Sequence, residues 1–257
     1  MIILIALLAG LMVGSFLNVV ILRLPRDESV VTPRSRCPHC SSPIAWYDNI
    51  PVFSFLVLRG RCRHCQTSIS LRYPLVELLC ATLFVAVAHK FPVDGLIPLR
   101  EWPFVAILLA ITFIDLDHRI IPDELSLGGL ILGLASSFWV PGLGLVSSLI
   151  GATLGYGVFF LMSWIYFRWK GKIGLGGGDV KLLAMIGAFL GPQAVIQVVM
   201  LSSLLGSVVG LSYATWLHRR GAADSVMAVA IPFGPFLVVA ALYFYLLGDV
   251  LGFPVQL

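Results

Sequence analysis

The sequence predicts an all-α polytopic membrane protein, with about eight transmembrane helices and a small cytoplasmic loop domain of zinc-ribbon type. Three observations predict it. Of the 257 residues, 59% are hydrophobic and only 12% are charged, outside the usual range of a soluble globular chain. The apolar residues gather into runs near membrane length. The one long polar insertion holds four of the five cysteines.

A span needs about 20 mostly apolar residues. Runs at 1–22, 75–88, 102–114, 125–140, 145–167, 194–217 and 226–247 qualify or nearly do, and a shorter run covers 180–190. The short runs are half-spans or tilted pieces, tolerable where neighbouring helices or a cavity satisfy their ends. The first run resembles a secretory signal, yet no Lys or Arg precedes it and Arg23 and Arg26 follow it. Signal peptides carry the opposite pattern, so a retained helix is expected. Glycines within spans, such as Gly151, Gly155 and Gly157, point to close helix packing. No repeat of fixed period is evident.

Threading the chain from an outside N-terminus puts every Lys and Arg except Lys90 and Arg100 on the inside. That asymmetry orients the chain by the positive-inside rule. The net charge of +4 then reads as orientation and attraction to anionic lipid, and no nucleic-acid partner is called for. The organisation expected is a first helix at 1–22, a cytoplasmic domain at 23–74 and a helical bundle at 75–257.

Cys37-Pro-His-Cys40 and Cys62-Arg-His-Cys65 are two Cys-x-x-Cys knuckles separated by residues 41–61, close to zinc-ribbon spacing. Two such pairs complete a tetrahedron around Zn²⁺ and leave no open position for substrate, so the role predicted is structural. The alternatives are two disulfides or unligated thiols; a cytosolic location disfavours disulfides. His39 and His64 lie inside the knuckles but are not needed as ligands. Cys80 sits in an apolar helix and reads as a small buried hydrophobe.

Acids at a membrane boundary are costly and are functional candidates. Asp115 directly ends an apolar run and should be less hydrated than Asp117 or Asp123. Asp179 follows Gly174-Leu175-Gly176-Gly177-Gly178 and opens an apolar helix. Glycine there permits positive φ and close backbone approach, as a site gripping an extended peptide would need. Taken singly, Asp115 can be an interfacial carboxylate paired with Arg119, and Asp179 an ordinary helix cap. Together they sit at one depth. Two carboxylates that share a proton can serve as base on a water and as acid on a leaving amine, the chemistry of an aspartyl protease.

The Gly-x-Gly-Asp element, Gly176 to Asp179, resembles that of intramembrane aspartyl proteases. Gly14-Ser15-Phe16-Leu17-Asn18-Val19-Val20 with Arg23-Leu24-Pro25, the paired knuckles, Arg72-Tyr73-Pro74-Leu75-Val76-Glu77, and Asp115 seven residues before Pro122 narrow it. With Gly-Gly-Gly-Asp-Val-Lys and Ile231-Pro232-Phe233-Gly234-Pro235, the set resembles the bacterial prepilin peptidases in order over nearly the whole chain. The resemblance implies an inner-membrane enzyme that removes the short basic leader of type IV prepilins or type II pseudopilins on the cytoplasmic side, after a Gly. It implies Asp115 and Asp179 as the catalytic pair, within a peptidase domain at 75–257. It further implies methylation of the new N-terminal amine from S-adenosylmethionine, with Gly60, Arg61 and Glu77 as candidate cofactor residues. Two other classes share some features. A proton-coupled transporter would need acids deep in its helices, where the sequence offers only Glu77; a zinc-ribbon assembly scaffold would leave the glycine-flanked Asp179 unexplained.

Overall fold

The computed structural model describes residues 1–91, 97–139, 143–172, 174–220 and 231–248. Residues 226–230 of the last expected span and Val140 of the fourth lie outside the described residues. Among the described residues the regular structure is helical, apart from two isolated bridges in the cysteine loop. The helices are α1 (Ile2–Arg23), α2 (Phe53–Val57), α3 (Arg72–Lys90), α4 (Ile97–His118), α5 (Asp123–Ser136), α6 (Gly144–Lys170), α7 (Gly177–Arg219) and α8 (Gly234–Leu247).

Each expected apolar run falls on a helix, and α2 is a single short piece within the polar loop. The 43-residue α7 is two helices, because Gly191 takes φ 82° and ψ 176° and Pro192 follows it. Proline removes an amide donor and disfavours helix at the preceding residue, and glycine accepts the conformation that results. The two limbs are the two apolar runs expected at 180–190 and 194–217. Helices α1, α3, α6 and α7 are long and apolar enough to cross a membrane. Helices α5 and α8 have 14 residues each, a rise of about 21 Å against a hydrocarbon core of about 30 Å.

The chain forms two compact units, Met1–Ala110 and Ile111–Leu257, with the boundary inside α4. In the first unit α1 packs on α3 through small residues: a Cβ on Gly10 would sit 2.5 Å from Ala81 Cα, and one on Gly14 2.7 Å from Glu77 Cα. Cys80 is fully buried in that seam, the apolar role expected of it. Glu77 is not the one acid deep in a helix, since Glu101 is also buried, at 2% exposure, and pairs with Arg100 at 2.9 Å. Adjacency in sequence to its own cation hid it.

In the second unit α6 packs on α7 by direct backbone approach. Side chains on Gly151 and Gly187 would each strike the other's carbonyl, and one on Gly155 would strike the carbonyl of Leu183. Ser148 Oγ donates to the Ala188 carbonyl at 2.8 Å in the same seam. Such contacts substitute for a hydrophobic driving force that lipid cannot supply. Gly157 does not share the role: nothing lies within 4 Å of where its Cβ would be. The last turns of α6 expose Trp164 and Trp169 beside Arg168 and Lys170, with the Arg168 guanidinium 5.9 Å from the Trp164 ring centre. This is the aromatic and basic composition of a membrane–water interface.

Candidate functional sites

The cysteine loop repeats itself. In the first knuckle the Cys37 amide donates to the Ser42 carbonyl, Ser41 to Cys37, and Ile44 to Ser35; in the second, Cys62 donates to Thr67, Gln66 to Cys62, and Ile69 to Gly60. The bridges Arg36–Pro43 and Arg61–Ser68 and the positive φ of Ser41 and Gln66 correspond in the same way. Every partner in the second knuckle lies at a constant offset from its counterpart. This corrects the expectation of no internal repeat, and the signal was present: Cys-x-His-Cys followed four residues later by Ile occurs twice.

The knuckles bring Cys37, Cys40, Cys62 and Cys65 together, with all four Sγ atoms within 4.8 Å of one another and Cys37 and Cys65 at 3.8 Å. Four thiolates about 2.3 Å from a zinc ion stand about 3.8 Å apart along a tetrahedral edge, so the set fits that metal. Hydrogen bonds from the Thr67 side chain and backbone pull the Cys65 thiol down to about 6, and Ser42 lowers Cys40 in the same way. The thiolate is the form that binds metal. His39 and His64 are exposed and stand outside the cluster. The loop also carries a forked ion pair, Arg63 Nε to Asp48 Oδ2 at 2.8 Å and Nη2 to Oδ1 at 2.6 Å.

In the second unit two acids, Asp115 and Asp179, come near one another. Asp115, in the last turn of α4, is 5% exposed, and its Oδ2 accepts the Gly234 amide at 2.9 Å. The carboxylate thus caps α8 from another helix, meeting an amide that α8 itself cannot satisfy. A Cβ on Gly234 would sit 2.7 Å from that oxygen, so the position admits glycine. No ion pair within 4 Å joins Asp115 to Arg119 among the described residues, although the Arg119 charge still acts on this acid. Asp117 is exposed, and Asp123 pairs with Lys181 at 2.6 Å on the surface.

Asp179 lies in the first turn of α7, three residues past its cap, Gly176, and its carboxylate lies against the Gly176 amide. It therefore occupies the position of a capping-box acid and not the cap itself. The glycines before it do not take positive φ, contrary to expectation. Their use is close approach: Tyr166 packs where Gly174 would carry a Cβ, and Ile121 packs where Gly178 would. Ile121 also reaches Gly234. One side chain therefore lies against both glycines that neighbour the acids, and the two carboxylates are near enough for their charges to interact.

In the first unit, Glu77 lines a cavity of about 410 Å³, together with parts of α1, the knuckles and α2. Glu77 is 8% exposed, and its Oε2 accepts the Val52 amide at 2.7 Å. Gly60 takes φ +67° under the Phe55 ring, and Arg61 is exposed on the second knuckle. Neither of them lines the cavity.

These features define a polytopic helical membrane protein with a cluster of four thiols that could hold a metal ion and, in its second unit, two acids brought near one another. Residues 8–91 match the family model described as Bacterial Peptidase A24 N-terminal domain, and residues 102–211 match Type IV leader peptidase family. The chain is 43% identical over 270 residues to the "Prepilin leader peptidase/N-methyltransferase" of Aeromonas hydrophila, covering 94% of this chain and 89% of that protein. It is 44% identical over 213 residues to the protein of that name from Myxococcus xanthus (strain DK1622), covering 82% and 63%, and 41% identical over 270 residues to that of Stutzerimonas stutzeri, covering 95% and 90%. No solved structure matches. The chain belongs to the Type IV leader peptidase family and is an enzyme of that class, a peptidase joined to a methyltransferase.

Proposed function

We propose that Asp115 and Asp179 are the catalytic pair, and that the enzyme removes the basic leader of prepilins or pseudopilins after a glycine. The observation that carries this is the anchoring of buried Asp115 on the Gly234 amide beside Asp179. A pair sharing one proton performs both halves of amide hydrolysis. The ionised partner takes a proton from water as the oxygen attacks the scissile carbonyl, and the protonated partner gives its proton as the C–N bond breaks. The amide held by Asp115 supports a fixed carboxylate, and Asp179 in the first turn of α7 has the positive end of a helix behind it. Arg168, Lys170 and Lys181 near this end, with the basic loop at 23–74, favour a cytoplasmic active site in the inner membrane and an outside N-terminus.

The same enzyme then methylates the new terminal amine. S-adenosylmethionine supplies a methyl group, whose carbon–sulfur bond breaks as the nitrogen–carbon bond forms while the amine loses a proton to solvent. Zinc at Cys37, Cys40, Cys62 and Cys65 holds the loop and takes no part in hydrolysis, because four thiolates leave it no site for water. Co-expression with a prepilin tests the reading: cleavage by the parent shifts the substrate on a gel, and the intact mass of the product reports the methyl group. An uncleaved prepilin beside well-folded parent enzyme overturns it.

A further inference from the structure

Two buried charged groups face the cavity of the first unit, and among the described residues neither is paired with an opposite charge. The Glu77 carboxylate, near the start of α3, receives the Val52 amide and lies against Ser15. Arg23, at the end of α1 and 9% exposed, donates Nη1 to the Ser29 carbonyl at 3.0 Å. Both line the cavity with Asn18, whose amide is committed to the Tyr73 carbonyl at 3.1 Å. Burying a charge is expensive unless a counter-charge compensates it. Here one acid and one base are spent separately, which suits a ligand bearing a cation at one point and an anion at another.

The remaining wall is apolar, with Ile50, Phe55 and Ile69 among its residues. A volume of about 410 Å³ falls within the range of roughly 300–1,000 Å³ that small-molecule sites occupy. We propose that this cavity binds the methyl donor, with Glu77 facing the sulfonium, Arg23 the α-carboxylate, and the apolar wall the adenine. The assignment rests on the methyltransferase reading and deepens it. It also gives the cysteine loop a task, since Cys37 and Cys62 line the cavity as well and the metal that joins the knuckles shapes one wall.

The test is direct binding to the purified full chain, by calorimetry or equilibrium dialysis, with two probes. S-adenosylmethionine carries the sulfonium charge; S-adenosylhomocysteine is the neutral thioether and keeps the carboxylate. Zinc content and a single elution peak verify that each variant is folded. Glu77→Gln is expected to weaken S-adenosylmethionine about tenfold or more, as loss of a buried charge partner does, and the thioether far less. Arg23→Gln should weaken both probes alike, and Ile69→Trp, which fills the cavity, should exclude both. If the folded Glu77→Gln and Ile69→Trp variants bind S-adenosylmethionine as the parent does, the site lies elsewhere. If Glu77→Gln weakens both probes equally, Glu77 does not face the sulfonium and the assignment falls. If the parent itself neither binds S-adenosylmethionine nor methylates a cleaved prepilin, the methyltransferase reading fails, and this site with it.

Discussion

The cysteine loop and the acid end of the second unit both hold polar groups in fixed positions, and they do so by different means. The loop uses short hydrogen-bonded turns, each closed by a residue at positive φ, and draws its order from four thiolates that one ion can join. The acid end uses helix termini: the Asp115 carboxylate sits on an amide of α8, the Asp179 carboxylate against an amide of α7, and Ile121 packs the glycines beside both. A metal-held loop forms or melts as a unit with its ion. A helix-terminus site depends instead on backbone spacing, because the groups that position it belong to the helices. The first arrangement should therefore fail through loss of one ligand set, and the second through a single added methyl group.

The largest effect expected is at the acids. Asp115→Asn or Asp179→Asn should lower prepilin cleavage by roughly 10²–10⁴-fold or more, since neither acid can supply both proton transfers alone. Asp117→Asn, on an exposed side chain, should be mild. Rates on a purified prepilin, with helicity checked by circular dichroism, decide it; an Asp179→Asn enzyme cleaving at the parent rate ends the assignment. The parent rate should also rise and fall with pH, through two apparent pKa values that belong to the pair.

The loop comes second. Replacing Cys37 and Cys40 by Ser should release about one zinc ion per chain, because a four-thiolate shell does not survive the loss of half its ligands. With the knuckles parted, the wall of the Glu77 cavity should go as well. Methylation should fall sharply and cleavage should be reduced but still measurable, as the acids belong to the other unit. Intact mass of a co-expressed prepilin reads both at once. A metal-free double variant that methylates fully would separate the loop from methyl transfer.

Much of this contrast was legible in the residue order, and the rest was hidden for a physical reason. Apolar runs mark helices because burial in lipid requires them, so even the break in α7 shows as Gly191-Pro192 between two runs. Cys-x-x-Cys spacing marks a metal knuckle for an equally local reason. The amide of Gly234 contacts Asp115 across 119 residues, and nothing in either neighbourhood announces a pairing that depends on where α4 ends against α8. Ile121 gave no signal either, being an ordinary apolar residue until Gly178 and Gly234 are placed against it. Gly151, Gly155 and Gly157 look alike in sequence, and only the facing helix tells them apart.

That last distinction gives the third prediction. A Cβ on Gly155 would enter the carbonyl of Leu183, a backbone atom that cannot swing aside, whereas Gly157 faces open space. Gly155→Ala should force α6 from α7 and lower the thermal midpoint, with overpacking of this kind costing about 1–3 kcal/mol. Gly157→Ala should leave it unchanged or raise it slightly, since alanine is favoured over glycine in a helix interior by up to about 1 kcal/mol. Equal midpoints for the two variants would mean the seam is looser than its geometry.

The smallest effect should come from the Arg63–Asp48 fork, and it sharpens the comparison by asking whether anything besides the metal holds the loop. The hydrogen bonds from Arg63 hold the Asp48 carboxyl below its usual range. A carboxyl depressed by folding contributes stability that is fully present above its unfolded value, about 3.9, and lost as the pH falls through the folded one. Between pH 6 and 8 the contribution of the fork is therefore constant. With 47% of the Arg63 side chain exposed, solvent and salt screen the pair. Asp48→Asn should accordingly speed chelator-driven zinc release by less than about fivefold, by the same ratio at pH 6 and pH 8, and by less still in high salt. A ratio that grows steeply toward pH 6 would show the fork coupled to the thiols, and the loop would then be a joint product of metal and ion pair.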